Sequence, residues 1–237
     1  PGFVLTNVSA YYDPRTVPNN KVGIHILDPG EVEEAAGIVN KNADWGYITV
    51  PIRIDDLNAE KWERFFELAG KLRIIPIVRL ATTVKDGAWK TPTKEDIDDF
   101  ALFLDERDWP ILNRYIVVFN EQNHAVEWGG SVNPKSYGEI LSYAAQKFKS
   151  QNEDFFVMPA GFDQATKTNG TSKEAFEYLN ELVAYTPDIF EQIDGWASHS
   201  YPNPNFSGAP QDKSKMSINA YAHEREFLKG KLAKNLP

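Results

Sequence analysis

The sequence predicts an α/β protein of the TIM-type (β/α) barrel class, with six βα units present and the eight-unit barrel incomplete. Three observations carry this prediction. Short apolar, β-branched runs recur along the chain, each followed by a loop and a stretch with apolar residues at helical spacing. No phosphate-cradling glycine motif follows any run, which argues against a nucleotide-binding doubly wound sheet. Polar and aromatic residues gather instead just past the C-terminal ends of several runs, where barrel enzymes build their sites.

The predicted strands are Val22 to Leu27, Tyr47 to Ile52, Ile74 to Leu80, Ile116 to Phe119, Phe155 to Pro159 and Ile193 to Ser198. Their near-continuous hydrophobicity marks strands buried on both faces, as in parallel sheets. Amphipathic segments alternate with them: Pro29 to Asn40, Asn58 to Leu72, Lys94 to Arg107, Pro134 to Ser150, Ser172 to Ala184 and Ser217 to Lys234. Asn58 and Thr93 stand just before acidic first turns, and Asn133-Pro134 puts proline at the first helical position, all signals that start helices.

No Gly/Ser linker, low-complexity tract or charge block divides the chain, so residues 1–237 read as one domain. The later strands begin roughly 40 residues apart, and at that spacing a seventh strand is due just past Lys234-Asn235-Leu236-Pro237. The expectation is therefore a barrel truncated at its C-terminal end, lacking about two βα units. Such a sheet leaves open edges, a route to self-association. The plainer reading, that six units are the whole fold, stays open at this level.

Composition excludes several functions. With 25 Lys+Arg against 34 Asp+Glu the net charge is −9, and there is no basic run, so no nucleic-acid partner is expected. No apolar stretch approaches the ~18 residues of a membrane span. A hydrophobic fraction of 42% with 13% aromatic residues is ample for a large core. Zero Cys removes thiol chemistry and leaves the compartment undetermined. Pro1 to Thr6 has neither a basic n-region nor an apolar h-region, so secretion with a signal peptide already removed is left open. Four His spread along the chain without ligand spacing give no metal site, and neither metal nor cofactor is expected.

The sharpest local signal is Tyr115-Ile116-Val117-Val118-Phe119-Asn120-Glu121-Gln122-Asn123. A buried run ends in a carboxyl group flanked by amides, a setting in which partial desolvation raises a carboxylic acid's pKa and Asn120 can bind a hydroxyl. The second signal is Ile193-Asp194-Gly195-Trp196-Ala197-Ser198-His199-Ser200-Tyr201-Pro202, where His199 and Tyr201 share one face of an extended segment and can orient carboxylates or bind hydroxyls. Arg79, near the end of the third run, is placed to pair with a carboxylate or to form an ion pair inside the barrel. His25 on the first run reads as a core histidine or a ligand contact. Trp89 and Trp128, in the loops after the third and fourth runs, offer apolar faces for sugar rings or for loop packing.

Asn-Glu closing the fourth run and His-x-Tyr closing the sixth resemble the clan A retaining glycoside hydrolases, the cellulase, mannanase and xylosidase-like (β/α)8 barrels. The resemblance spans the chain in element order, with these two short motifs as its specific part. It implies that Glu121 is the general acid/base, that Asn120 contacts the sugar 2-hydroxyl, and that His199 and Tyr201 flank the catalytic carboxylates. The family carries its arginine on the second strand, whereas Arg79 lies on the third. The family's nucleophile is a glutamate closing a seventh strand; none of the six predicted strands supplies it, and Glu224 and Glu226 fall within the last predicted helix. The partner implied is a β-linked oligo- or polysaccharide. Two other expectations stand beside the hydrolase: a non-catalytic carbohydrate-binding or scaffold protein on an incomplete barrel, and a site completed by a second polypeptide.

Overall fold

In a computed structural model the protein is described over residues 19–40 and 45–231. The strands are β1 (Asn19–His25), β2 (Trp45–Arg53), β3 (Ile74–Ala81), the short β4 (Val84–Lys85) and β5 (Ala88–Trp89), then β6 (Arg114–Val118) and β7 (Phe155–Pro159). The helices are α1 (Val32–Val39), α2 (Ala59–Lys71), α3 (Lys94–Asp105), α4 (Pro134–Gln151), α5 (Ala175–Tyr185), α6 (Ile189–Gln192) and α7 (Ala220–Lys229). Five strands form one parallel sheet in the order β1-β2-β3-β6-β7, and among the described residues it does not close into a barrel. β4 and β5 form a separate antiparallel hairpin.

The chain divides into two compact units. The first holds β1, most of β2 and of β3, α1, α2 and residues 106–114. Its helix α2 carries Trp62, Phe65, Phe66 and Ala69 on one face, the i, i+3, i+4, i+7 spacing of a buried stripe. Asn58 caps that helix by accepting from the Lys61 amide at 2.9 Å. Phe66 packs on Trp109 with ring centroids 4.6 Å apart, and both are buried. Arg107, 9% exposed, is answered by Glu63 at 3.3 Å and Glu106 at 3.2 Å.

The second unit holds the end of β3, the hairpin, α3, nearly all of β6, β7 and α4 to α7. Thr93 and Asp96 cap α3 reciprocally, and Asn133 with Pro134 starts α4 as their chemistry requires. Tyr137 on α4 is fully buried, and burial pushes its hydroxyl well above the ordinary tyrosine range. That hydroxyl donates to the Val118 carbonyl at 3.2 Å and accepts from the Ala160 amide at 2.8 Å. One phenol thus ties the C-terminal end of β6 to that of β7.

Five of the six predicted strands are strands of this sheet; the sixth is not. Residues 193–198 carry no regular secondary structure and start beside β7, where the Asp194 amide donates to the Val157 carbonyl at 2.9 Å. The Asp194 carboxylate then accepts from the Val157 amide at 2.9 Å, taking the place a backbone carbonyl would hold in a ladder. Farther along, pairing is confined to an isolated bridge between Asp163 and His199. The last helix is shorter than expected, and the Lys234–Pro237 stretch and the Pro1–Thr6 segment lie outside the described residues.

Candidate functional site

The site grows from the ends of β3, β6 and β7 and from the irregular segment that follows α6, all within the second unit. Beyond β6 the chain turns sharply. Phe119 and Glu121 adopt left-handed φ values of 71° and 42°, costly for residues with a Cβ, and so bracket Asn120 with strain of the kind that collects at functional sites. The Glu121 amide donates to the Gly161 carbonyl at 3.1 Å, which holds the turn against the loop after β7.

In this setting Glu121 Oε1 lies 2.7 Å from His199 Nδ1, and each side chain is about one-fifth exposed. The His199 ring sits 5.6 Å from that of Tyr201, so the histidine and tyrosine expected on one face do lie together. Burial, then the charge of Glu121, pushes the Tyr201 hydroxyl up. Gly161 is what lets the histidine approach: a Cβ there would stand 2.3 Å from His199 Cδ2.

A second acid–imidazole pair lies beside the first. His124 Nε2 is 2.9 Å from Asp163 Oδ2; the hydrogen bond raises the pKa of His124 and lowers that of Asp163. Asn123 braces it, donating to the carbonyls of Asp163 at 2.9 Å and Lys173 at 3.0 Å. Behind the segment bearing His199, α7 contributes Glu224, which is fully buried and accepts from Gln164 Nε2 at 2.6 Å. Burial pushes its carboxyl up, opposed by the nearby polar groups of Ser198, Trp196 and Gln164 and by the charge of His199.

On the β3 side of Glu121 lies a cavity of about 200 Å³ walled by Arg79, Trp89, Asn120, Gln122, Glu127 and Trp128 among others. Arg79 is half-buried, and the buried Nε has no hydrogen-bond partner among the described residues. Desolvation pushes its guanidinium down, opposed by the charges of Glu127 and Glu121. Glu127 belongs to a single 3-10 turn, Ala125–Glu127. Burial raises the pKa of its carboxyl, opposed by the polar side chain of Asn120 and the charges of Arg79 and His124. Trp89 is half-buried on β5 and is one of the residues lining the cavity.

Sequence reasoning thus brought Glu121, Asn120, His199, Tyr201, Arg79 and Trp89 into one neighbourhood. Trp128 needs a correction as a sugar-stacking face. It is 1% exposed, packs edge-on against Phe119 and Tyr137, and donates from Nε1 to Ser136 at 3.2 Å, so it is the floor of the cavity and not a free platform. His25 lies on β1 in the first unit, where it is exposed and not a core histidine. Glu127, His124 and Asp163 were missed, and Glu224 was weighed only as a nucleophile and set aside on the last helix, where it does lie. Glu127 stands in the same loop as Glu121 and was open to detection as a second carboxyl there. The Asp86-Gly87 pair, at φ 53° and 82°, was likewise a hairpin signal, and it places Trp89. Among the described residues no group of three or more His, Cys, Asp or Glu is placed to hold a metal ion, and no helix is long and apolar enough to cross a membrane.

In fold this chain is similar to the (β/α)-barrel glycoside hydrolases. Over 95% of its length it superposes on 53% of a monomeric β-xylosidase from Caulobacter crescentus, with a TM-score of 0.66 and 15% identity. A glucosidase from Croceicoccus marinus matches 92% of this chain over 50% of its own, at a TM-score of 0.62 and 9% identity. A family 51 α-L-arabinofuranosidase from Bifidobacterium longum matches 93% over 51%, at 0.54 and 11%. The likeness is one of fold, and the chain spans about half the length of these solved structures. No protein-family model and no curated protein matches it by sequence.

Proposed function

We propose that this chain is a glycosidase-like domain that hydrolyses O-glycosidic bonds of a β-linked oligo- or polysaccharide by a retaining mechanism, with Glu121 as general acid/base. The observation that carries the proposal is the strained turn that presents Glu121 to His199 at 2.7 Å beside Asn120. Glu121 gives its proton to the glycosidic oxygen as the C1–O bond breaks, and later takes a proton from the water that attacks C1. Asn120 binds the 2-hydroxyl, His199 and Tyr201 orient the carboxyl group and the substrate, Arg79 offers a donor, and Trp89 offers an apolar face. The carboxylate that takes C1 is the one the resemblance puts at the end of a seventh strand, and no residue named here is assigned to it.

The test is Glu121→Gln in the full chain, or in a longer form that continues past Pro237, assayed on β-linked oligosaccharides and on dinitrophenyl β-glycosides. Loss of an acid catalyst costs about 10²–10⁴ in rate on natural leaving groups and far less where the leaving group needs no proton. Equal activity of variant and parent on both substrates overturns the assignment.

One observation favours a second reading, glycan binding without cleavage. Asn120 and Gln122, the neighbours of Glu121, stand in the cavity wall together with Arg79 and Trp89. Calorimetric titration with glycan, with no product formed, is the outcome that supports it.

A further inference from the structure

Just past Tyr201 the chain closes into a small loop, residues 202–208. The Gly208 amide donates to the Pro202 carbonyl at 2.8 Å, and Ser207 donates to the Pro204 carbonyl through its amide at 3.0 Å and its hydroxyl at 2.8 Å. A Cβ on Gly208 would stand 2.3 Å from the Asn203 carbonyl oxygen, so only glycine allows this closure. The Asn203 amide donates to the Met216 carbonyl at 3.2 Å, which ties the loop to the stretch leading into α7. Within it Asn205 and Phe206 take left-handed φ values of 53° and 58°, costly for residues with a Cβ.

That costly turn holds an apolar ring out in solvent. Phe206 is 71% exposed, the most exposed aromatic side chain among the described residues. Its ring packs edge-on against Tyr201, 5.3 Å between centroids, and Tyr201 is itself 39% exposed. The Tyr201 ring lies 5.6 Å from His199, the partner of Glu121. A single exposed phenylalanine is ordinary, but two exposed rings in contact and continuous with a candidate catalytic carboxyl mark a place for a ligand.

Size and charge select that ligand. Two aromatic side chains offer at most about 500 Å², short of the about 800 Å² that each partner brings to a stable protein interface. An anionic membrane surface repels a chain of net charge −9. A sugar ring fits both limits. Its C–H face covers an aromatic ring, and its hydroxyls find donors and acceptors in the Tyr201 phenol and in Asn205, exposed next to Phe206 in sequence. The loop holds the phenylalanine in place beforehand, so little ordering is left to oppose binding.

Resting on the sugar reading above, we infer that Phe206, with Tyr201, forms a second sugar subsite. One ring of a β-linked chain sits beside Glu121, and a ring farther along the same chain lies on Phe206. The loop thereby makes the protein prefer an oligosaccharide to a single sugar.

The experiment is an NMR titration of the full chain with two matched pairs, methyl β-xyloside against xylotetraose and methyl β-glucoside against cellotetraose, for the parent, Phe206→Ala and Phe206→Tyr. In the parent the preferred tetrasaccharide shifts the Phe206 ring resonances and binds about tenfold or more tightly than its methyl glycoside, a ratio that corresponds to about 1.4 kcal/mol. Phe206→Ala narrows the ratio to about threefold or less while the methyl glycoside binds as before, and Phe206→Tyr, which keeps an aromatic ring, retains it. Phe206 stands outside the core, so its truncation leaves the urea midpoint nearly unchanged. A ratio in Phe206→Ala equal to the parent's, or a parent that binds methyl glycoside and tetrasaccharide alike, overturns the subsite and leaves the sugar reading standing. Loss of the ratio in Phe206→Tyr as complete as in Phe206→Ala overturns the stacking role. If no sugar binds the parent, the sugar reading and the subsite fall together.

Discussion

His199 Nδ1 meets Glu121 Oε1 at 2.7 Å although 78 residues separate them in sequence, and the Cδ2–Nε2 side of the same ring rests against Gly161. The glutamate's partner is therefore supplied by another part of the fold and seated by the lack of a side chain at Gly161.

Gly161→Ala tests that arrangement. The added methyl would lie 2.3 Å from His199 Cδ2 and 2.7 Å from Nε2, so the ring must leave. Overpacking of this kind costs about 1–3 kcal/mol, read as a lower urea midpoint, and the His199 ring resonances lose their Glu121 environment.

His199→Ala removes the same hydrogen bond without crowding. The pair is about one-fifth exposed, so the cost is about 1 kcal/mol, a fall of roughly 2–4 °C in melting temperature by calorimetry. Any glycosidase activity falls with it much more steeply than stability does.

The His124–Asp163 pair makes stability depend on pH in two directions. His124 titrates above its ordinary 6.5 in the folded state, so its contribution is complete below 6.5 and is lost as pH rises through the raised value. Asp163 titrates below its ordinary 3.8, so its contribution is present above 3.8 and is lost as pH falls through the lowered value. Urea unfolding should show the pair's full contribution between those limits, and Asp163→Asn should flatten its alkaline decline.

Glu224 has the opposite sign for a carboxyl. Its folded pKa lies above the ordinary 4.5, so the folded state binds the extra proton and stability falls as pH rises from 4.5 through the raised value. Glu224→Gln removes that penalty. Relative to the parent, its urea midpoint should rise between pH 4.5 and pH 8.

Much of this fold was legible because buried parallel strands announce themselves as apolar runs, as Ile74–Ala81 and Arg114–Val118 do. The segment after Ile193 misled because Asp194 pairs through its side chain, a choice that composition does not reveal. Asn120, Glu121, His199 and Tyr201 could be read because they cluster at the ends of runs. The His124–Asp163 contact spans 39 residues and the Gln164–Glu224 contact 60, so neither leaves a local pattern. The two readings of Trp128, sugar stacking and loop packing, could not be separated for a simpler reason: a tryptophan in a loop does not declare whether that loop folds inward.

The Tyr137 phenol bears on how the site keeps time with the rest of the molecule. Its oxygen bridges the Val118 carbonyl and the Ala160 amide, immediately upstream of the turn at Glu121 and of Gly161. The gap between the two strand ends is thus gauged by one stiff ring anchored in a helix, and neither end can drift alone. The Ala160 amide consequently serves as a built-in tell-tale: its hydrogen-exchange rate reports when the spacer slips, well before the whole chain unfolds.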